Sequence, residues 1–341
     1  MQHRYDILPV VAFFIALPAA TAGSSPAYGD VESGWSQLIR AARTAFDGGE
    51  YEEAARLYSS AVHQQAAVGA PGTRLALSLS ELGVVRRYQG RCGESSQLLE
   101  RGIEVLEGTA DTNVSLLRGV WEDLGAAYLC QCLYSRAERA YLRAVDLEQS
   151  VHPYKKAKMA LILSELGAIY TLEAKYAEAD AVFKRAQVIL DEDSRQNPHE
   201  LAFLLNNLGI LRLHMKRTAE AQAAFQRGLE IVDTAAHTNA LLAVDLAQLL
   251  NNLGALDYER NQYRDAAAHL ARAVDLIDKG LRVQPDDARS VLLNYAHCLR
   301  RIGHKKQAKE LESRADAMSS VLPIEDRNQF VVDVTQLAQG R

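Results

Sequence analysis

The sequence has no strong excess of charge of either sign. Its 341 residues include 38 Lys and Arg against 43 Asp and Glu, which leaves a net charge of −5. A general nucleic-acid-binding protein normally presents a basic face or stripe, so this composition argues against that class of partner. Apolar residues make up 48% of the chain, which is enough to bury a substantial core.

The common catalytic signatures are also missing from the sequence. It contains no His-Glu-x-x-His, no Gly-x-Ser-x-Gly and no glycine-rich phosphate loop. The nearest grouping is His297, Cys298 and His304. Adjacent helical residues diverge by about 100°, so the first two cannot easily share a ligand. We therefore expect a protein that is not an enzyme and has no cofactor, metal site or small-molecule substrate.

The N-terminal 22 residues differ in kind from the rest. Arg4 precedes a 14-residue apolar stretch, Ile7 to Ala20, which is short for a membrane span. Ala20-Thr21-Ala22 has the small-x-small pattern of a signal peptidase site. We predict a signal peptide at 1–22, a linker at 23–32 and export to the periplasm or the extracellular space. A permanent N-terminal membrane anchor is the alternative.

A Leu-Gly pair recurs at a nearly constant interval along the chain. The steps between successive glycines are 42, 42, 42 and 45 residues, for Gly83, Gly125, Gly167, Gly209 and Gly254. Such a period indicates a solenoid of repeated supersecondary units. With Ala42 and Ala296 as the equivalent positions at the two ends, we predict seven units, at about 33–70, 71–110, 111–152, 153–197, 198–237, 238–284 and 285–318.

Each unit has the pattern of a helical hairpin. Apolar residues within each half recur three, four and seven positions apart, which is the helical period. Large residues stand mostly sixteen positions after each glycine, and small ones nineteen after it, so large side chains fill the gaps that small residues leave. Within the repeats, prolines lie only where a first helix should begin, at Pro71, Pro153, Pro198 and Pro285.

These offsets resemble the tetratricopeptide repeat over residues 33 to about 318. The 42-residue period is longer than the ordinary 34 and is similar to the units of kinesin light chain, including Leu-Asn-Asn-Leu-Gly at 205–209 and 250–254. The resemblance implies an all-α, right-handed superhelical α-solenoid of about seven hairpins. It also implies a concave groove, lined by the first helix of each hairpin, that binds an extended peptide or protein segment.

The groove residues follow from the same resemblance. In peptide-binding relatives, asparagines two positions before the repeat glycine hold the ligand backbone, which points to Asn207, Asn252 and Asn294. Earlier units have acids at this position, so a ligand there should be basic. The predicted groove set is Glu81, Tyr88, Asp123, Glu165, Phe203, Asn207, His214, Asn252, Asn294 and Arg301.

Apolar residues occur on the same face, where contact with solvent is expected. They are Leu77, Val84, Tyr88, Leu161, Leu172, Phe203 and Ile210. A contiguous exposed apolar patch usually marks an interaction site. Two alternatives are that the first helices pack tightly against one another through this face, or that the C-terminal tail covers it.

Export makes the four cysteines relevant, because an oxidising compartment allows disulfides. A bridge between repeats, such as Cys92 to Cys132, is conceivable. Stacked hairpins lie about 10 Å apart, beyond disulfide reach without a local bend, so mostly buried free thiols are the favoured expectation. Cys130-x-Cys132 lacks the paired spacing that zinc prefers, and Cys298 has no evident partner.

The repeat pattern ends near Met318, and the tail at 319–341 contains the β-branched segment Phe330–Thr335. This segment is expected to cap the last hairpin, with occupation of the groove or strand pairing with a partner as alternatives. The leading functional prediction is an exported, non-enzymatic scaffold or adaptor that binds a protein or peptide. The alternative is an assembly module that self-associates through the solenoid edges or the tail.

Overall fold

The computed structural model describes residues 34–68, 72–109, 112–151, 155–191, 197–233, 239–281, 283 and 285–319. The predicted signal peptide and linker, and the tail from residue 320 onwards, lie outside these described residues. Among the helices in the described ranges, none is both long and apolar enough to cross a membrane.

The described residues form fourteen α-helices and no strand. Two successive helices make up each repeat, and the first helix of each hairpin is odd-numbered; these seven are hereafter the first helices. The all-α class and the repeated helical hairpin are therefore confirmed. The helices are α1 (Gly34–Asp47), α2 (Tyr51–Val68), α3 (Gly72–Tyr88), α4 (Cys92–Glu107), α5 (Val114–Cys130), α6 (Tyr134–Ser150), α7 (Lys156–Leu172), α8 (Tyr176–Asp191), α9 (Pro198–His214), α10 (Thr218–Val232), α11 (Ala240–Glu259), α12 (Tyr263–Asp278), α13 (Pro285–Arg301) and α14 (Lys305–Ser319).

The described helices fall into two compact units, residues 34–162 and residues 163–319. In the first unit α1 packs on α2, α3 on α4 and α5 on α6, and α3 also contacts α5. In the second unit α9 packs on α10, α11 on α12 and α13 on α14. There the first helices α9, α11 and α13 contact one another in sequence.

The repeat glycines allow the two helices of a hairpin to approach closely. A Cβ atom on Gly125 would lie 2.5 Å from the ring of Tyr141, and one on Gly209 would lie 2.3 Å from the ring of Phe225. Each of these rings belongs to the large residue sixteen positions later in the chain. The close approach explains why a Leu-Gly pair recurs and confirms the expected alternation of small and large residues.

The turn inside every hairpin contains one residue in the left-handed conformation. It stands seven positions after the repeat glycine or its alanine equivalent, with φ between 56° and 92°, at Gly49, Gly90, Cys132, Ala174, Lys216, Asn261 and Gly303. The next N–H donates to a carbonyl five positions earlier, as from Arg217 to Arg212 at 2.8 Å. This is the Schellman end of a helix, and four of the seven turns make it without glycine.

Helix starts follow the sequence signals. Pro198 and Pro285 are the first residues of α9 and α13, where a missing N–H costs nothing. The side chain of Asn113 accepts a hydrogen bond from the Leu116 N–H at 3.0 Å and so caps α5. Pro71 and Pro153 lie outside the described residues.

Cys92 and Cys130 form a disulfide in the first unit, with 6.0 Å between their Cα atoms. The expectation of free thiols is wrong for this pair, and Cys132 lies outside the bridge. Cys92 begins α4 and Cys130 ends α5, so the bond joins helix ends, which approach more closely than helix axes. The Gln131 side chain donates to the Cys92 carbonyl at 3.1 Å and holds the same junction.

Candidate functional site

The first helices of the second unit meet through buried carboxamides. Asn252 Nδ2 donates to Asn206 Oδ1 at 2.9 Å, joining α11 to α9. Asn294 Nδ2 donates to Asn251 Oδ1 at 3.0 Å, joining α13 to α11. In both bonds the second Asn position of one repeat donates to the first Asn position of the preceding repeat. We call Asn206, Asn207, Gln248, Asn251, Asn252 and Asn294 the carboxamide row; all six are buried.

Two atoms of the carboxamide row have no hydrogen-bond partner. They are the Nδ2 donor of Asn207 on α9 and the Oε1 acceptor of Gln248 on α11, and both are buried. In the preceding repeat the position equivalent to Asn206 and Asn251 is Ser164, whose side chain is shorter and has no carboxamide oxygen. The carboxamide row therefore ends at Asn207, whose Nδ2 group donates no hydrogen bond. A buried donor without a partner lowers the stability of the folded state.

A His–Asp pair lies beside the carboxamide row. His199 Nδ1 on α9 is 2.7 Å from Asp245 Oδ2 on α11. Burial raises the pKa of Asp245, while the neighbouring His199 opposes that rise. A second pair, His269 Nδ1 and Asp257 Oδ2 at 3.0 Å, joins α12 to α11. Polar bonds, in addition to apolar contacts, thus hold α11 against both α9 and α12.

The other predicted groove residues of the second unit lie in different surroundings. Glu165 is buried. Phe203 is buried beside the imidazole of His199, with 6.3 Å between ring centroids. His214 is half-buried near Tyr176, and burial lowers its pKa. Arg301 is exposed and lies over the ring of Tyr263, 4.5 Å from its centroid.

In the first unit, Glu81 takes part in contacts between repeats. It accepts hydrogen bonds from Arg43 Nη2 at 2.7 Å and from the Tyr58 hydroxyl at 3.1 Å. Tyr88 is buried, and its ring meets that of Phe46 edge-on at 5.0 Å. Both predicted groove residues therefore join the first hairpin to the second.

Asp123 lies beside a network of ion pairs between α5 and the elements that follow it. Arg118 is paired with Glu122 and with Glu148, the latter at 2.8 Å. Lys158 Nζ is 2.7 Å from Glu122. Asp123 itself is buried, and its Oδ1 atom has no hydrogen-bond partner. Burial raises the pKa of Asp123 to about 7, with Arg87 as the cation that most opposes the rise.

The prediction of an exposed apolar patch is wrong for three of its residues. Tyr88, Phe203 and Ile210 are buried, while Leu77, Val84, Leu161 and Leu172 are half-buried. Tyr88 packs against the rings of Phe46 and Tyr51 in the first hairpin. Ile210 belongs to the same buried apolar cluster as Leu246 and Leu250 of α11. This outcome matches the stated alternative in which the first helices pack against one another.

Sequence reasoning missed Arg87, Asn206 and Asn251. The Asn-Asn doublet was a usable signal, because adjacent helical residues point about 100° apart and the first Asn then faces the neighbouring repeat. Arg87 directly precedes Tyr88 but was not in the predicted groove set.

The described residues contain no group of three His, Cys, Asp or Glu side chains placed to hold a metal ion. Burial raises the pKa of the Cys298 thiol to about 12 and lowers the pKa of His297. At neutral pH the Cys298 side chain is therefore a protonated thiol, which is a poor nucleophile.

Comparison with known families matches two parts of the chain. Residues 158–234 and residues 246–277 each match a family model described as tetratricopeptide repeat. No curated protein matches the chain.

Several solved structures share the fold. A Rap protein complexed with competence and sporulation factor is 15% identical, with a TM-score of 0.59 over 86% of this chain and 76% of that one. Aspartyl phosphate phosphatase F from Bacillus subtilis is 13% identical, with a TM-score of 0.60 over 86% and 71%. NprR in complex with its cognate peptide NprX is 12% identical, with a TM-score of 0.53 over 91% and 84%. Identities this low establish a common fold and nothing about activity.

Proposed function

Because the chain is a tetratricopeptide repeat protein, we propose that it is a protein-binding scaffold that holds an extended segment of a partner polypeptide against α9 and α11. The observation that supports this proposal is that two polar atoms in the carboxamide row have no hydrogen-bond partner. Asn207 offers a donor and Gln248 an acceptor, on neighbouring first helices. A peptide unit carries one acceptor and one donor, so an extended backbone can satisfy both side chains.

The remaining asparagines contribute mainly to the framework. Asn252 and Asn294 each donate a hydrogen bond to an asparagine of the preceding repeat. Among the three predicted asparagines, Asn207 is therefore the one with a free N–H for a ligand. Binding through main-chain groups is tolerant of ligand sequence, so specificity must come from flanking side chains such as Phe203 and His214.

Burial of the row sets a condition on binding. Asn207 is 3% exposed and Gln248 is 2% exposed. A ligand can reach them only when α9 and α11 separate locally, so the proposal includes a small opening of this contact. Among proteins of similar fold, the Rap protein was solved with competence and sporulation factor, and NprR with its cognate peptide NprX.

Enzymatic activity is not proposed. One similar structure is an aspartyl phosphate phosphatase, but it is 13% identical and shares the fold alone. Export is also proposed, on the basis of the predicted signal peptide. That segment lies outside the described residues. The Cys92–Cys130 disulfide supports export, because such bonds persist in oxidising compartments.

Self-association through the solenoid edges has no support in the end helices. The exposed residues of α1 include Gln37, Arg40 and Thr44, and those of α14 include Lys306 and Lys309. Polar outer faces of this kind are typical of capping repeats, which keep a solenoid soluble. The expected capping role of the tail lies outside the described residues.

The test is selection of peptide ligands from a displayed library, followed by affinity measurement with fluorescence polarisation. Asn207→Ala and Gln248→Ala should each weaken binding of a selected peptide about tenfold, the value of one well-made hydrogen bond. Gln226→Ala, on the exposed side of α10, is the matched control and should leave affinity unchanged. Equal binding by all three variants would refute the proposed site.

A second variant tests the same donor without removing it. Ser164→Asn introduces the residue type found at the equivalent positions of the next two repeats. The new side-chain oxygen should accept a hydrogen bond from Asn207 Nδ2, as Asn206 accepts one from Asn252. We expect a chain that folds, with weaker peptide binding. Unchanged affinity in a folded Ser164→Asn protein would argue that Asn207 does not contact the ligand.

A further inference from the structure

In the first unit, two buried side chains of opposite charge have polar atoms without a hydrogen-bond partner. Arg87 on α3 is 5% exposed, and its Nε and Nη2 atoms have no hydrogen-bond partner. Its guanidinium lies over the ring of Tyr88, 5.3 Å from the centroid. Asp123 on the neighbouring first helix α5 is 7% exposed and has no partner for Oδ1. No hydrogen bond or ion pair joins Arg87 to Asp123 among the described contacts.

The other charged side chains of this cluster each form at least one ion pair, whereas Arg87 and Asp123 form none among the described residues. Glu81 is bound by Arg43, Glu122 by Arg118 and Lys158, and Glu148 by Arg118. With Arg87 and Asp123 included, the cluster holds four acidic and four basic side chains. It is therefore neutral overall, and the two unpaired groups are not explained by a local excess of either sign.

Retaining such a pair works against folding. A buried charge without a partner is strongly unfavourable, and an apolar pair of similar size would usually be more stable. Positions where a sequence departs from what stability favours tend to be functional. Arg87 and Asp123 are thus candidates for a ligand contact that supplies the missing partners.

The free atoms indicate the chemistry of the ligand. Nε and Nη2 lie along one edge of the planar guanidinium, which matches the two oxygens of a carboxylate. The free Asp123 oxygen accepts a hydrogen bond, and an ammonium group provides a charged donor. A carboxylate alone would face the Asp123 charge, and an ammonium group alone would face Arg87. Only a ligand with both charges leaves the cluster neutral.

We propose that Arg87 and Asp123 form a binding site for a ligand that carries a carboxylate and an ammonium group close together. A free amino acid and a peptide with neighbouring acidic and basic groups both provide this chemistry. The site lies in the unit of residues 34–162 and uses none of the carboxamide row. Its failure and the failure of the proposed peptide site are therefore separate results.

The experiment follows the Nε–H resonance of Arg87 by ¹H–¹⁵N NMR and the melting temperature of the purified protein. The probes are glycine and β-alanine for the free amino acid, and a doubly capped Lys-Glu dipeptide for the side-chain source. Sodium acetate and methylammonium chloride, added singly, are the half-ligand controls. Arg87→Met and Asp123→Asn remove one contact each, and Arg101→Gln, at an exposed site on α4, is the matched control variant.

We expect at least one doubly charged probe to shift the resonance saturably and to raise the melting temperature. The probe that does so identifies the source of the ligand. Asp123→Asn should abolish the shift, and Arg87→Met should abolish the rise in melting temperature, while Arg101→Gln retains both. Arg87→Met combined with Asp123→Leu should melt at a higher temperature than the native protein and respond to no probe.

Two results would overturn the proposal. One is an equal response to acetate alone, which would make Arg87 a simple anion contact. The other is the absence of any response while the double variant is more stable, which would leave a buried water as the partner of both groups.

Discussion

Asn252 Nδ2 and Asn206 Oδ1 lie 2.9 Å apart although 46 positions separate the residues in the chain. The bond holds α11 against α9, and the same bond recurs one repeat later between Asn294 and Asn251 at 3.0 Å. Two successive junctions between repeats thus contain equivalent pairs of buried carboxamides. Buried polar pairs of this kind specify the register between helices as well as contributing stability.

Replacing Asn252 by Ala should lower the free energy of unfolding by about 1–3 kcal/mol, because Asn206 Oδ1 then loses its donor in a buried site. Urea denaturation measures the change, with Gln226→Ala as the exposed control. A double-mutant cycle with Asn206→Ala should show a coupling of about 0.5 kcal/mol or more. Additive single changes would contradict a direct bond.

Gly125→Ala and Gly119→Ala should have opposite effects within the same helix. The added methyl of Gly125→Ala meets the Tyr141 ring at 2.5 Å, whereas nothing lies within 4 Å of a Cβ at Gly119. Overpacking should cost about 1–3 kcal/mol at Gly125. Gly119→Ala should gain about 0.5–1 kcal/mol from helix propensity. Thermal unfolding of the two variants checks the signs, and stabilisation by both would show that Tyr141 moves aside freely.

Lys216→Gly should stabilise the protein by up to about 1 kcal/mol. Lys216 has φ of 60° in the turn between α9 and α10, a conformation that costs a side-chain-bearing residue about 1–2 kcal/mol and that glycine adopts freely. Lys216→Ala removes the charge and keeps the strain, so it should be nearly neutral. Chemical denaturation compares the two, and equal values would assign the effect to charge.

Asp123→Asn should change the pH dependence of stability. Burial raises the folded pKa of Asp123 to about 7, while the unfolded pKa is near 3.8. Between these values the folded state binds the extra proton, so native stability from this group is present at low pH and is lost as pH rises toward 7. Above pH 7 the variant should be more stable than the native protein by about 2–4 kcal/mol.

Denaturation of Asp123→Asn is measured from pH 4 to 8 beside Asp180→Asn. Lys184 and Arg212 lower the pKa of Asp180 although its desolvation opposes them, so this control should lose stability above pH 4. A native protein whose stability does not fall between pH 4 and 7 relative to Asp123→Asn would contradict the raised pKa.

Removal of the disulfide by Cys92→Ser with Cys130→Ser should cost about 2–4 kcal/mol, since the bond closes a loop of 38 residues. Dithiothreitol should reproduce the loss in the native protein but not in the double variant. Cys132→Ser is the control and should retain the bridge, which mass spectrometry of peptides under non-reducing conditions can verify. A bridge found between Cys92 and Cys132 would contradict the observed pairing.

The fold was predictable to a larger extent than the site. Leu-Gly spacing located the hairpins, and Pro198 and Pro285 marked the first residues of their helices, because these signals act within one repeat. Asn207, Asn252 and Asn294 were singled out as ligand contacts, and that role stays a prediction. Their hydrogen-bond partners were not foreseen, because each partner belongs to a neighbouring repeat.

Sequence by itself determined the helical hairpin and its period, since a glycine beside a ring and a proline at a helix start act over a few turns of chain. Tertiary structure alone decided that Cys92 bonds to Cys130 and that Phe203 and Ile210 are buried. It also decided that Asn207 and Arg87 have buried N–H groups without a hydrogen-bond partner. Those outcomes depend on how far each helix sits from the helix of the next repeat. Packing between repeats sets that distance, and the apolar periodicity of one helix does not predict it.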